Sequence, residues 1–535
     1  MNMIIKKGSL VALSIALLCA ITYVVLPAIN MHSVGFWLLA AAVILIATGV
    51  YAIAGDAQKE KNRIGLKIGG GLIALIAIIL VIGGISGSKL VNAKAYAAIM
   101  EVSLQPAEEY QISLDEVPLM DKATSTLLAN RKMGTLVELV SQFEVDEYNN
   151  TQINYQGNPV RVIPLRYSGF IKWMANQTDG IPGYIIVDMK TQEAILVEVE
   201  GGINYSPSAY FGHNLARYVW MNSPTELYGG YSFEIDEEGN PVWIMRIEKR
   251  TVGMFGGTDL KAILIVDAVT GAITRHEVGN IPAWVDTAYS ADMMIEQYDW
   301  HGVYGGGFWN SVFGQRNVVE TTDGYNYIAF DGDIYMYTGI TSVVSDESNI
   351  GFIFSNLRTK ETVQYNYPSA EEYSAMDSAM GQIQHLGYSA TFPILVRVDD
   401  ELTYCMALKD AGGLVKMYAM VNAAEYQIVV TGATLAETRS AYSAALISNN
   451  IRNDVSAAPE NTAAWEQISG TITDVRTAIL DGSTYVYVVL DSSDLRFEIP
   501  AGRNKDAIFF SIGDNVSLEY YQGNEKDKFV VANIK

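Results

Sequence analysis

Three apolar runs crowd the first 85 residues: Ser9–Ile29, Val34–Ala54 and Ile68–Ile85. No run of membrane-crossing length occurs in the 450 residues that follow. As a helix the third run rises about 27 Å, close to one hydrocarbon thickness. Three spans put the two ends of a chain on opposite sides of a bilayer. Lys6 and Lys7 precede the first run, and the connection Gly55–Lys67 carries Lys59, Lys61, Arg63 and Lys67 against Asp56 and Glu60. The other connection, Asn30–Ser33, has no positive charge. Because Lys and Arg collect on the cytoplasmic side, the amino terminus and second connection are expected inside and residues 86–535 outside. Leu26-Pro27-Ala28 is a poor small-residue cleavage site, and a second apolar run follows at once, so the first run reads as a retained helix. None of the three runs holds an ionisable Asp, Glu, Lys, Arg or His, which points to anchoring rather than to an ion pathway.

Charge divides the same way. Six of the 36 Lys and Arg and two of the 59 Asp and Glu fall before residue 86. That leaves 30 cations against 57 anions on residues 86–535, a net −27. So acidic a region is repelled by phosphate backbones, and nucleic acid is excluded as an expected partner. Only Cys405 lies outside the apolar runs, with Cys19 inside the first, so no intrachain disulfide is expected and stability must come from packed cores. The 32 Tyr and abundant Val and Ile favour strands.

A hairpin recurs along the outer region. In Tyr184–Val199, Ile263–Val278, Gly351–Tyr365 and Tyr404–Ala419 an apolar run reaches Asp188, Asp267, Asn356 or Asp410, turns through polar residues, and leaves as a β-rich run. Asp and Asn suit that place because their short side chains accept bonds from the backbone N–H groups just ahead. Helical stretches follow at Ser208–Met221, Ala283–Tyr298, Ser369–Leu386 and Thr434–Ser448, the third opening on a Ser369/Glu372 capping box. The uneven spacing of the four anchors fits a few α+β modules with insertions rather than a solenoid. The pattern, clearest at Val266-Asp267-Ala-Val-Thr270-Gly271, resembles the end of a PepSY-type domain, a small helix-and-sheet module of extracytoplasmic bacterial proteins. The resemblance covers about 15 residues per copy, a length that one hairpin with its turn accounts for. It implies binding, or restraint of proteases, and carries no catalytic residues.

Residues 451–463 are polar and read as a linker. Five strands follow, over Ile468–Val475, Thr484–Leu490, Leu495–Ile499, Val516–Tyr521 and Phe529–Ile534. With Ser469-Gly-Thr-Ile-Thr-Asp-Val475 opening the set, this region resembles an OB-fold barrel. Tyr485, Tyr487, Tyr520 and Tyr521 suit stacking, but the basic residues are scattered among acids, so a nucleic-acid groove is not expected. As a whole the chain, through Leu408–Val421, resembles uncharacterised membrane proteins of Gram-positive bacteria; that likeness implies no activity.

The expected architecture is therefore a membrane-anchored α+β protein. Its parts are a three-helix anchor (1–88), a membrane-proximal connector (89–145), an α+β ectodomain of hairpin–helix modules (146–450), the linker (451–463) and an OB-like β-barrel (464–535). Catalytic signatures are missing: His32, His213, His276, His301 and His385 are widely spaced, and no His-Glu-x-x-His, Cys-x-x-Cys or Gly-x-Ser-x-Gly occurs. Ser86-x-x-Lys89 has the spacing of penicillin-binding enzymes without their partner motifs, and Asp331-Gly-Asp333 and Asp236–Asn240 lack the full frame of a calcium loop. No cofactor and no metal is expected. The segment Tyr298–Phe313 stands out. It sets Trp300, Tyr304, Phe308, Trp309 and Phe313 around three glycines, as suits sugar stacking or insertion at a membrane interface, with Met254–Gly257 as a companion loop. The expected role is non-enzymatic: the outer region binds an envelope protein or wall glycan in scaffolding, sensing or regulation, and is compatible with a homo-oligomer. The alternatives are a wall-directed hydrolase and an accessory subunit of a membrane transport complex.

Overall fold

The computed structural model describes residues 2–54, 60–114, 119–343, 348–449, 451, 466–480, 483–501, 505–521 and 529–534. The protein is mixed α+β and divides into two compact units, Met1–Tyr442 and Ser443–Lys535. The expected linker, 451–463, lies outside the described residues apart from Ile451.

The first unit opens with helices α1 (Asn2–Val25), α2 (Val34–Ala54) and α3 (Glu60–Ser86). Two of them are long and apolar enough to cross a membrane, over Val34–Ala52 and Ile64–Ser86, with mean hydropathies of 2.2 and 2.7. The apolar part of α1 is shorter, Val11–Val25. This helix stops before the expected Ile29 because Leu26 turns into the left-handed region (φ 47°) and Pro27 follows. The expected connection Gly55–Lys67 is shortened from its far end, since α3 already runs at Glu60; residues 55–59 are outside the described set.

Two places on these helices meet the body of the unit. The α1–α2 turn is hydrogen-bonded to the segment 220–225: Trp220 Nε1 donates to Pro27 O (3.0 Å), Ile29 N to Pro224 O (2.7 Å) and Asn30 Nδ2 to Thr225 O (2.9 Å). Arg217 lies 4.7 Å from the Tyr23 ring centre. The carboxy-terminal end of α3 packs on the loop Met254–Gly257, where Phe255 and Met254 fill the space beside Gly83 and Gly256 lies against the Gly87 backbone. A short helix, α4 (Lys89–Ala97), then lies along the helix Ala291–Tyr304, joined by an edge-on Tyr96–Trp300 contact at 4.8 Å.

Four sheets build the rest of the first unit. The first contains Phe143–Val145, Asn158–Tyr167, Ile181–Asp188 and Ala194–Ile203 in that order, with Thr151–Tyr155 also on Asn158–Tyr167. The second orders Ile273–Glu277, Gly256–Asp267, Pro241–Val252 and Leu227–Ile235. The third runs Ser103–Pro106, Thr362–Ala370, Ser348–Asn356, Asp333–Ser342 and Val319–Thr321, with Asn326–Phe330 on Asp333–Ser342. The fourth holds Ser389–Ala390, Glu401–Lys409, Val415–Asn422 and Val429–Gly432, with Ile394–Val398 on Glu401–Lys409. Residues 89–145 are more than a connector: they supply the parallel edge strand Ser103–Pro106 of the third sheet and the helix Lys122–Gly134 against the first.

The second sheet is buried on both faces, and its side-chain alternation shows how. Trp243, Met245, Ile247, Ala262, Leu264 and Val266 join one core with the first sheet. Val242, Ile244, Ile263 and Ile265 join another with the third sheet and the helix Ala291–Tyr304. Period-two alternation sends neighbours to opposite faces, so strands that are apolar at nearly every position must be covered twice.

All four expected hairpins are hairpins, and a shared turn explains their sequence. The Oδ1 of Asp188 accepts from the N–H groups of residues 190 and 191, that of Asp267 from 269 and 270, and that of Asn356 from 358 and 359. Asp410 Oδ1 accepts from 412 and 414. Each turn then passes through a left-handed residue: Gln192 (φ 61°), Gly271 (77°), Lys360 (70°) and Gly413 (78°). The helices that follow are Leu215–Asn222, Ala291–Tyr304, Glu372–Gln382 and Leu435–Ser448. The Ser369/Glu372 capping box does not form, because Ser369 is still in the strand Thr362–Ala370 and Glu371 occupies the N-cap position.

In the second unit, Glu466–Leu480, Ser483–Leu490, Arg496–Pro500, Phe529–Ile534 and Asn515–Tyr521 each pair with two others, closing a ring. All ladders are antiparallel except Arg496–Pro500 with Phe529–Ile534. Ile472, Val486, Val488, Leu490, Phe497, Ile499 and Leu518 fill it.

Candidate functional site

The five candidate rings, Trp300, Tyr304, Phe308, Trp309 and Phe313, do not act together. Ser290 caps the helix Ala291–Tyr304 by accepting from Met293 N (3.2 Å), and this helix carries the first two rings into the body. Trp300 is 5% exposed and packs with Tyr96 and Val252, so it is a core residue and unavailable as a binding platform. Tyr304 is half-buried at the same cluster. Beyond it the chain is a π-type turn, Asn310–Gly314, rather than an open loop. There Trp309 (65% exposed) and Phe313 (77% exposed) stack at 5.8 Å with planes 10° apart, and half-buried Phe308 meets Trp309 edge-on at 5.4 Å. Residues 309 and 313 fall on one face at helical spacing, which is how two large rings come to lie side by side in solvent.

This exposed pair sits one turn beyond the cluster at the α3 exit. Lys89, three residues past the end of α3, places Nζ 5.3 Å from the Trp300 ring centre and 5.8 Å from that of Tyr304. The Ser86-x-x-Lys89 spacing is thus used structurally: Lys89 makes cation–π contacts, and Ser86 Oγ donates to Gly83 O (2.9 Å). Met254–Gly257 is not a companion to the aromatic pair but holds the end of α3, with His32 Nδ1 2.8 Å from Met254 O. Asp333 pairs with Arg358 through two 2.6 Å bonds, and Asp236 accepts from the N–H groups of residues 238 and 240, so both acidic turns are internally occupied. Among the described residues no group of three His, Cys, Asp or Glu is placed to hold a metal.

A second feature went unread in the sequence. Where the first, second and third sheets meet, a polar cavity of about 110 Å³ is lined by Asn150, Gln152, Ser232, Arg246, Thr287, Tyr289, Ser290 and Tyr327, with Ile334 and Leu357 closing one side. Arg246 is 6% exposed and occupies a position on the face of its strand otherwise given to Val242 and Ile244. Its Nε donates to Ala288 O (3.1 Å), and Nη2 donates to Thr287 O (2.8 Å) and Ser232 Oγ (3.3 Å). Behind the wall, Arg161 (3% exposed) donates to Gln152 Oε1 (3.1 Å) and Asn150 Oδ1 (3.4 Å), while its buried Nε has no hydrogen-bond partner among the described residues. Burial lowers the Arg161 pKa to about 10 and lowers that of Arg246 as well.

Two carboxyls adjoin the cavity. Glu234 accepts from Asp286 N (3.0 Å), Thr287 N (3.1 Å) and the Thr287 hydroxyl; Asp286 accepts from Asn154 N (2.7 Å). Burial raises the pKa of both, and the nearby Glu234 charge raises that of Asp286 further. The sequence signal was a lone cation inside an apolar strand, at Val160-Arg161-Val162-Ile163 and Trp243-Ile244-Met245-Arg246-Ile247. On the barrel, a wide hollow of about 1080 Å³ sets Arg476 and Arg496 among Asp474, Asp491 and Asp494.

No protein-family model and no curated protein matches the chain.

Proposed function

We propose that the protein is a bacterial envelope protein with three membrane spans, a cytoplasmic amino terminus and an extracytoplasmic body that works by binding a partner protein or wall glycan. The observation that carries the binding reading is the solvent-exposed Trp309–Phe313 stack beside the α3 exit. Large rings held in water at one spot cost hydration free energy unless something covers them. Support for three spans comes from the body contacts. The α1–α2 turn and the end of α3 both meet the body, whereas the basic residues lie towards the other ends, at Lys6 and Lys7 near the start of α1 and at Lys59–Lys67 around the start of α3. In this reading the hairpin–helix units are PepSY-like modules, supported by their common Asp/Asn turn, and the carboxy-terminal ring is an OB-like module.

The test is crosslinking in whole cells from a photoreactive residue at position 309. Adducts to one protein or to wall glycan, competed away by the detergent-purified full-length protein but not by its Trp309→Ala/Phe313→Ala variant, are expected. Adducts to lipid alone would overturn the binding reading. A reporter fused after Lys535 that is active only in the cytosol would overturn the sidedness.

A further inference from the structure

We propose that the cavity between the three sheets is a binding site for a small oxyanion, the carboxylate or phosphate group of a ligand. A cavity this size has room for several waters or one such group, since a water needs roughly 10–15 Å³ of accessible space. Its wall is unusual in having donors and a fixed cation where two apolar cores would otherwise join. Among the described residues neither Arg161 nor Arg246 forms an ion pair within 4.0 Å, although each is more than nine-tenths buried. A buried guanidinium without a carboxylate against it is costly, and structures normally neutralise it. Among the described residues the buried Arg161 Nε has no hydrogen-bond partner. Arg246 spends Nε and Nη2 on carbonyl and hydroxyl oxygens and lines the cavity.

The adjoining Glu234 acts on Arg246 electrostatically and through Ser232 Oγ, without a direct bond between them. All the bonds that Glu234 and Asp286 accept come from Asp286 N, Thr287, Ser232 and Asn154 N, not from either arginine. Tyr289, Ser290 and Tyr327 also line the cavity, so hydroxyl-bearing residues share its wall with Arg246. One cation, several O–H donors and the Gln152 amide suit an oxygen anion, which accepts from all of them; a cation would meet Arg246 head-on.

The experiment uses the full-length protein in detergent micelles. Thermal unfolding is followed against sodium phosphate, sodium acetate and sodium chloride at matched ionic strength, with equilibrium dialysis of labelled phosphate and labelled acetate alongside. A saturable upward shift with phosphate or acetate and none with chloride is expected, and the more effective salt tells the tetrahedral from the planar group. Tyr327→Phe removes one hydroxyl and keeps the ring, and should weaken binding at least tenfold; Arg246→Gln should abolish it. Should Arg246→Gln fail to fold, Tyr327→Phe and the dialysis still decide. No saturable binding of either oxyanion by the folded wild-type protein, or equal binding by folded Tyr327→Phe, would overturn the site. Neither result bears on Trp309 or on sidedness, so this proposal and the previous one fail separately.

Discussion

Asp299 shows what a single buried carboxyl costs. It is half-buried on the helix Ala291–Tyr304 and accepts from Thr321 N (2.9 Å) and Thr321 Oγ1 (3.1 Å), yet burial outweighs these bonds and pushes its pKa up to about 6. A folded pKa above the unfolded value means that the native state holds the proton more tightly. Stability from this group is therefore full below the unfolded pKa near 4 and is lost as pH rises through 6. Asp299→Asn keeps an acceptor oxygen and removes the charge. It should raise stability at pH 7 by about 1 kcal/mol after allowing for solvent screening, and flatten the pH 4–6 slope in urea melts. Glu372 accepts from Tyr337 OH (3.0 Å), Asn349 Nδ2 (3.0 Å) and Thr322 Oγ1 (3.2 Å) in a fully buried pocket. Glu372→Ala would strand three donors and should cost about 3 kcal/mol or more by the same melts.

Among the elements, the Asp/Asn turn was the most legible feature. An apolar run ending in Asp or Asn, with a strand leaving five or six residues later, located all four hairpins, because the side-chain acceptor and a left-handed residue three or four places on are local requirements. Gly271 and Gln192 occupy that position in two of the turns. Gly271→Ala should cost at least about 1–2 kcal/mol: φ is 77°, and a Cβ there would lie 2.5 Å from the Tyr205 ring. Gln192→Gly should cost little, since Gln192 already bears the unfavourable φ, and paired chemical melts separate the two outcomes. Less local features were not legible. Ser369 fits a capping box, but strand pairing with Asn349 claims it first. Trp300 and Trp309, nine residues apart in one aromatic stretch, end at opposite extremes of exposure because only the first faces α4. The two buried arginines come from the first and second sheets, and nothing local says that Gln152, bonded to Arg161, and Arg246 line one cavity.

For the whole molecule, the three apolar helices could be found from hydropathy, but the manner of their attachment could not. It depends on close backbone contacts. A Cβ on Gly256 would lie 2.3 Å from Gly87 O, so Gly256→Ala must open the junction between the end of α3 and the second sheet. Hydrogen exchange on the full-length protein in micelles should show faster exchange at residues 86–97 and 253–257 and little change in the first sheet; uniform protection would refute the account of this junction. The two attachments, one at Pro27–Asn30 and one at Gly83–Gly87, are separate points on the same unit. A body held at a single point can pivot like a buoy on its chain. Held at two, it behaves as a turret bolted to its deck, and under the proposed membrane placement a tilt of the helices would be delivered to the sheets as a rotation of the unit.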